Sequence, residues 1–162
     1  MEVTMESLGT DLDWKKKLIF ASVFIEANKM QTVFDNYHNE ITSKQWLLLV
    51  IASSFQEPPT LTAVGEQMGC SRQNVKKIAT LLEKKEFIRL YHDDKDKRSL
   101  RIEITHVAKA FLQKQNKATE GVFEQLFSAF TEDEINQFFE GILKLSKGID
   151  LMGEYFENQK NT

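Results

Sequence analysis

The sequence is poor in the residues that cross-link, break or bend a chain. It has one cysteine, two prolines and seven glycines among 162 residues. A lone cysteine, Cys70, excludes an internal disulfide, and no cysteines and histidines stand at zinc-ligand spacing. We therefore expect no cofactor or metal and a reducing, cytoplasmic location. With few helix breakers, the chain should form one mainly helical globular domain over residues 1–162.

Long hydrophobic runs are also missing. The longest, Trp46 to Ala52, is far shorter than the roughly 20 apolar residues that cross a bilayer. Residues 1–13 are acidic where a signal peptide would be basic and then apolar, so we expect a frayed arm there. The sequence contains no glycine-rich phosphate loop, nucleophile elbow, paired-carboxylate site or metal triad. These absences favour a protein that is neither membrane-spanning nor an enzyme.

Charge is distributed unevenly along the chain. The net charge is −3, yet residues 71–101 contain ten basic and five acidic residues, a net +5, so the remainder carries −8. The basic residues of this segment are Arg72, Lys76, Lys77, Lys84, Lys85, Arg89, Lys95, Lys97, Arg98 and Arg101. A basic middle in an acidic chain is expected where that part alone approaches phosphates.

The two ends of the chain have helical patterns. Residues 12–38 contain no glycine or proline, and their apolar residues fill more than one helical stripe, so both sides need covering. Thr42 and Gln45 form a capping-box pair that begins a helix ending near Ser54. Thr105 can cap a long helix, and Thr131 with Glu134 forms a second capping box before a final helix. A second copy of the chain is one source of cover for such helices.

The middle of the chain predicts two short helices and a hairpin. A helix over Leu61 to Met68 ends at the turn residue Gly69, and Ser71 can cap a second helix that reaches about Lys85. Strand patterns follow over residues 87–92 and 100–104, around a charged tip. In the second helix we expect four apolar side chains to face the core: Val75, Ile78, Leu81 and Leu82.

The hairpin carries a specific resemblance. The run Asp96-Lys97-Arg98-Ser99, followed by an alternating strand that ends at Ile104-Thr105, resembles the wing of the multiple-antibiotic-resistance regulator (MarR) family. Leu61-Thr62, Gly65, Met68, Ser71 and Val75 upstream are similar to that family's helix-turn-helix. Many members have glycine where this chain has Glu86. The resemblance covers residues 41–105 and implies a winged helix-turn-helix lobe over 42–105, between dimerisation helices at 12–38 and 106–157.

The resemblance implies a DNA-binding surface. Residues at the start of a helix in the major groove can read base edges, and arginine, glutamine and asparagine suit guanine or adenine. Lysines farther along suit phosphates, and the family would send Arg98 into the minor groove with Asp96 orienting the wing. The predicted DNA-binding residues are Ser71, Arg72, Gln73, Asn74, Lys76, Lys77, Lys95, Lys97 and Arg98.

Two functions remain open at this stage. The first is a transcriptional regulator, a repressor, that binds a pseudo-palindromic operator in double-stranded DNA as a homodimer. The second is a winged-helix adaptor that binds an acidic protein instead of DNA. Members of the family often bind small aromatic or lipophilic effectors, and Phe24, Met30 and Trp46 are candidates for such a pocket. Cys70 is interpreted as a small turn residue, with thiol sensing as the alternative.

Overall fold

A computed structural model describes residues 11–37, 39–94 and 96–160 of the chain, without the side chains of 116–118. Six helices and two strands follow one another in the described residues. They are α1 (Leu12–Tyr37), α2 (Ser43–Ser54), α3 (Leu61–Met68), α4 (Arg72–Lys84), β1 (Ile88–His92), β2 (Leu100–Ile104), α5 (His106–Leu126) and α6 (Glu132–Lys160). The mainly helical fold class with a small hairpin is confirmed.

The described residues divide into two compact units. One unit ends at Phe111 and contains α1 to the start of α5, and the other begins at Leu112 and contains the rest of α5 and α6. The single domain expected from the sequence stays a prediction.

Capping side chains define where the helices of the first unit begin. Thr42 and Gln45 form the reciprocal capping box predicted for α2. Thr60 accepts a hydrogen bond from the Ala63 amide at 3.1 Å to cap α3, and Thr105 accepts one from the Ala108 amide at 3.2 Å to cap α5. Each cap satisfies an amide that would otherwise have no partner in the helix.

The core of the first unit lies between α2, α3, α4 and the hairpin. Its largest fully buried side chains are Leu48, Leu49, Leu61, Leu82, Ile102, Val64 and Val75. Val75, Ala79 and Leu82 form the inner face of α4, at the spacing that places residues on one side of a helix. The prediction that Leu81 faces the core is wrong, because its side chain is 49% exposed. Val75, Ala79 and Leu82 lie within about 60° of one another around α4, and Leu81 lies about 100° beyond Leu82, outside that face.

A close approach between α3 and the following turn depends on Gly65. A Cβ atom at this position would stand 2.7 Å from the Cys70 carbonyl oxygen and 3.4 Å from Val75 Cγ2. The Cys70 amide also donates to the Gly65 carbonyl oxygen at 2.9 Å. Gly65 therefore allows the turn to fold back onto α3 and sets the separation between α3 and α4. Gly69 ends α3 in the left-handed conformation with φ of 63°.

Glu86 occupies the other left-handed position, with φ of 60°. It lies between α4 and β1, where the MarR resemblance implies glycine. The turn therefore has the left-handed backbone conformation that suits glycine, and this conformation is strained for a glutamate. Its carbonyl oxygen accepts a hydrogen bond from the Thr105 hydroxyl at 2.7 Å, which holds the turn against the start of α5.

The two strands form an antiparallel hairpin. Ile88 pairs with Ile104 and His92 with Leu100, so the hairpin extends away from the core toward its charged tip. Thr60 forms an isolated bridge with Arg101, and the Ile102 amide donates to the Pro59 carbonyl oxygen at 2.9 Å. The chain before α3 therefore lies along the outer edge of β2 and secures it.

Long helices at both ends of the chain carry much exposed apolar surface. Neither α1 nor α6 contains a buried residue. Phe20 and Phe24 of α1 are exposed, as are Phe139 and Phe156 of α6. Across the described residues, none of the helices combines the length and apolar character needed to cross a bilayer.

Candidate nucleic-acid interface

The start of α4 and the tip of the hairpin come together. They are 26 residues apart in sequence, yet Arg72 Nη2 donates to the Arg98 carbonyl oxygen at 3.4 Å. The hairpin tip, residues 93–99, is called the wing tip below. This contact places the two predicted sets of positive side chains on one continuous surface, which we call the basic surface.

The first turns of α4 present a polar, positive face. The Ser71 hydroxyl accepts a hydrogen bond from the Asn74 amide at 3.3 Å and caps the helix. Arg72, Gln73 and Asn74 are exposed, whereas Val75 is fully buried. The first turn contains no acidic residue. The positive end of the helix dipole therefore lies beside exposed side chains that can donate hydrogen bonds, an arrangement that favours an anionic ligand.

Lysines extend the positive face along the helix. Lys76 and Lys77 are exposed on α4. In the part of the chain that the structure describes, neither forms an ion pair. Their charges are available to solvent or to an external anion.

The wing tip is held by hydrogen bonds to the side chain and the carbonyl oxygen of Asp96. Asp96 Oδ1 accepts a hydrogen bond from the Arg98 amide at 3.0 Å, and the Ser99 amide donates to the Asp96 carbonyl oxygen at 2.8 Å. The Asp96 carboxylate thus turns toward the loop, while the side chains of Lys97 and Arg98 are exposed. Lys95, also predicted to bind DNA, lies outside the described residues.

Two arginines of the basic segment are paired with acids. Arg89 Nη2 lies 2.6 Å from Glu103 Oε2 across the hairpin, and its guanidinium stands 5.4 Å from the centre of the Tyr91 ring. Arg101 Nε bonds to Asp93 Oδ2. The hydrogen bond that Arg101 donates to the Asp93 carboxylate raises the pKa of Arg101 above its ordinary value.

Sequence reasoning counted these two arginines as part of a positive segment and missed their partners. The Arg89 pair could have been found, because Arg89 and Glu103 face each other once the hairpin register is assigned. The Arg101–Asp93 pair also follows from the hairpin register, because Asp93 lies opposite Ser99 and hence diagonally across from Arg101. The bond from Arg101 to Pro58 had no such signal, since it depends on the fold of the segment before α3.

A shallow concavity lies beside the basic surface. Its volume is about 380 Å³, and its lining includes Thr62, Glu66, Cys70 and Arg72. Cys70 is half-buried in the turn between α3 and α4. Among the residues that the structure describes, no group of three histidine, cysteine, aspartate or glutamate side chains could hold a metal ion.

The three predicted effector residues lie on α1 and α2. Trp46 is half-buried, and its ring packs against Phe34 with centroids 5.6 Å apart. Phe24 and Met30 are 59% and 54% exposed. Since an α-helix rises about 1.5 Å per residue, Phe24 lies about 15 Å along α1 from Phe34 and hence from the Trp46 ring. The structure therefore brings Trp46 to α1 but not to Phe24.

The family model described as MarR family matches residues 41–100, which include α2 to the start of β2. Residues 41–100 are therefore similar in sequence to the MarR family. The resemblance drawn from the wing and the helix-turn-helix is confirmed. No curated protein sequence matches the chain.

Solved structures show that the MarR fold extends beyond the matched residues. A MarR/EmrR family transcriptional regulator from Acinetobacter sp. ADP1 is 21% identical with a TM-score of 0.73, over 84% of this chain and 97% of its own. MepR from S. aureus, solved with DNA, is 19% identical with a TM-score of 0.70, over 80% and 97%. PcaV from Streptomyces coelicolor, solved with its natural ligand, is 17% identical with a TM-score of 0.63, over 91% and 98%. This chain therefore has the winged-helix fold of MarR family transcriptional regulators.

Proposed function

We propose that this chain is a DNA-binding transcriptional regulator, a cytoplasmic repressor that binds a pseudo-palindromic operator as a homodimer. The observation that carries the proposal is the juxtaposition of the α4 N-terminus and the wing tip, joined by the contact from Arg72 to the Arg98 carbonyl oxygen. Both elements carry exposed arginine and lysine side chains, although the chain as a whole has a net charge of −3.

The shape of the basic surface suits a duplex. An α-helix about 10 to 12 Å across fits the major groove, and its first residues reach base edges. Gln73 and Asn74 are exposed at that end of α4, so we assign them to base reading, with Lys76 and Lys77 on phosphates. Arg98 is exposed on a wing tip whose backbone is fixed by Asp96, which suits entry into the neighbouring minor groove.

Arg72 has two roles in this proposal. Its contact with the Arg98 carbonyl oxygen leaves part of the guanidinium group free, because five N–H groups are available. Arg72 can therefore hold the wing tip and still bind a phosphate or a guanine. Substituting it should affect both the wing tip and the major-groove contact.

The homodimer is supported by the apolar surface of the end helices. Exposed phenylalanines on α1 and α6 need cover in water, and a second copy of the chain supplies it symmetrically. We assign residues 12–38 and 106–157 to dimerisation and 42–105 to the DNA-binding lobe. Two copies would then present their α4 helices to successive major grooves about 34 Å apart.

A small aromatic or lipophilic effector is part of the proposal. PcaV was solved with its natural ligand, and in this chain the rings of Trp46 and Phe34 pack together where α1 meets α2, with the other two candidate residues, Met30 and Phe24, farther along α1. A ligand there would contact helices of both the dimerisation segment and the DNA-binding lobe.

The decisive experiment measures binding to duplex DNA from upstream of the gene that encodes this chain. We expect Arg98→Ala to weaken specific binding by about 1 to 3 kcal/mol, which is the value of a well-formed arginine contact. Lys160→Ala removes one positive charge from the end of α6, outside the segments assigned to dimerisation and DNA binding, and serves as the control, with little expected change. Affinity of Arg98→Ala equal to that of the parent protein would contradict the assignment of the wing.

The salt dependence of DNA affinity and the oligomeric state of the protein distinguish a DNA-binding regulator from a protein-binding adaptor. Contact with six or more phosphates predicts a log–log slope of affinity against salt of about −5 or steeper. Sedimentation should show a dimer, alone and on DNA. A monomer that binds no duplex at low salt and captures an acidic protein instead would favour the adaptor.

A further inference from the structure

Arg101 joins three parts of the DNA-binding lobe. It lies on β2, and its Nε donates a hydrogen bond to Oδ2 of Asp93, the residue that follows β1. Its Nη1 donates to the Pro58 carbonyl oxygen at 2.6 Å, in the segment before α3. The second oxygen of Asp93, Oδ1, accepts a hydrogen bond from the Asp96 amide at 3.4 Å. One guanidinium and one carboxylate therefore connect the segment before α3 to the wing tip.

Asp93 is nearly buried, and Arg101 is half-buried. The side chain of Asp93 is 10% exposed and that of Arg101 is 29% exposed. Arg101 Nε and Nη1 are both occupied within the protein, in contrast to Lys97 and Arg98, whose side chains are exposed. A charged pair of this kind has little exposed surface with which to bind DNA, and its hydrogen bonds in two directions restrict the orientation of the hairpin.

We infer that Arg101 and Asp93 are positioning residues that set the direction of the wing tip and so control DNA affinity without contacting DNA. The inference rests on the proposed function. The hairpin has two strands and reaches beyond the core, so the direction of its outer end depends on contacts made near that end. The Arg101 bonds to Pro58 and Asp93 supply those contacts, and they fix where Arg98 is presented relative to α4.

The sign of one substitution distinguishes positioning from simple electrostatics. Asp93→Asn removes a negative charge close to the basic surface, so electrostatic attraction alone predicts tighter DNA binding. Positioning predicts weaker binding, by about tenfold, which corresponds to loss of one arginine contact. Asp94→Asn is the matched control, because Asp94 is adjacent and exposed. It makes the same charge change, and we expect equal or tighter binding.

Arg101→Lys is a second variant that keeps the charge. A lysine ammonium cannot reproduce the fork that reaches Asp93 and Pro58 together. Positioning therefore predicts weaker binding for Arg101→Lys, whereas a general charge effect predicts no change. In an Arg98→Ala background both Asp93→Asn and Arg101→Lys should have little further effect, because they act through Arg98.

Amide hydrogen exchange tests the positioning without DNA. The Ile102 amide donates to the Pro59 carbonyl oxygen at 2.9 Å, and we expect its exchange to be faster in Asp93→Asn and Arg101→Lys than in Asp94→Asn. Faster exchange in a protein that binds no DNA would support the positioning and contradict the proposed function. Unchanged exchange at Ile102, or tighter DNA binding by Asp93→Asn, would overturn the inference.

Discussion

Gly65→Ala tests whether the spacing of the helix-turn-helix is set by one missing side chain. The new methyl group would stand 2.7 Å from the Cys70 carbonyl oxygen and 3.4 Å from Val75 Cγ2. Forcing a carbon into a packed site costs about 1 to 3 kcal/mol, and the better helix propensity of alanine returns about 1 kcal/mol. Because the 2.7 Å contact is with a backbone oxygen, the upper part of that range, about 2 to 3 kcal/mol, applies, and we expect the free energy of unfolding to fall by about 1 to 2 kcal/mol.

Urea denaturation followed by circular dichroism measures this change. Glu66→Ala is the control, because it places alanine one residue later, at an exposed position of α3, and should change stability by less than about 0.5 kcal/mol. Since the turn from Cys70 to Ser71 leads into α4, Gly65→Ala should also weaken DNA binding more than Glu66→Ala. A Gly65→Ala protein as stable as the parent would show that the turn relaxes freely, and would refute the argument that Gly65 sets the separation of α3 and α4.

Two further predictions concern the ends of helices. Glu86→Gly should raise the free energy of unfolding by about 0.5 to 1 kcal/mol. Glycine removes the cost of the positive φ at this position, and the greater conformational entropy of glycine in the unfolded chain cancels part of that gain. Thermal denaturation measures the change in stability, and a melting temperature below that of the parent would contradict the prediction. The pKa of Glu134 is lowered by hydrogen bonds from the Thr131 amide and hydroxyl. A lowered pKa means that this carboxylate stabilises the fold at neutral pH, and that its contribution is lost as the pH falls below the ordinary value of 4.5. Glu134→Gln should therefore show a smaller loss of stability between neutral and acidic pH than the parent, and an unchanged pH profile would contradict this.

The fold could be predicted largely because local chemistry and tertiary packing agree. Helix α3 has the bounds expected from its apolar spacing and from Gly69, and α2 begins at the predicted capping box. The capping box at Thr131 is also confirmed by reciprocal bonds with Glu134. Caps and periodicity act within a few residues, so a single sequence contains the information that they need.

Features that depend on distant segments could not be predicted in the same way. Leu81 satisfied the apolar pattern of α4, yet its side chain is half-exposed, because it lies outside the face of α4 that packs against the core of the first unit. Glu86 keeps a turn where glycine was expected, because the hydrogen bond from Thr105 holds its carbonyl oxygen in place. The approach of the Cys70 carbonyl oxygen to Gly65 and the fork of Arg101 likewise need the three-dimensional arrangement.

Charge shows most clearly what the sequence alone leaves open. The segment 71–101 has a net charge of +5, but a net charge does not distinguish a cation that faces solvent from one that is bonded within the protein. Arg89 and Arg101 form ion pairs within the hairpin, with Glu103 and Asp93 respectively. It leaves other cations, among them Lys76, Lys77 and Arg98, exposed on the surface beside the α4 N-terminus. DNA would therefore contact exposed cations on a hairpin whose shape is held by the two paired arginines. Substituting a paired arginine should change DNA affinity through the geometry of the hairpin, and substituting an exposed cation should change it through charge.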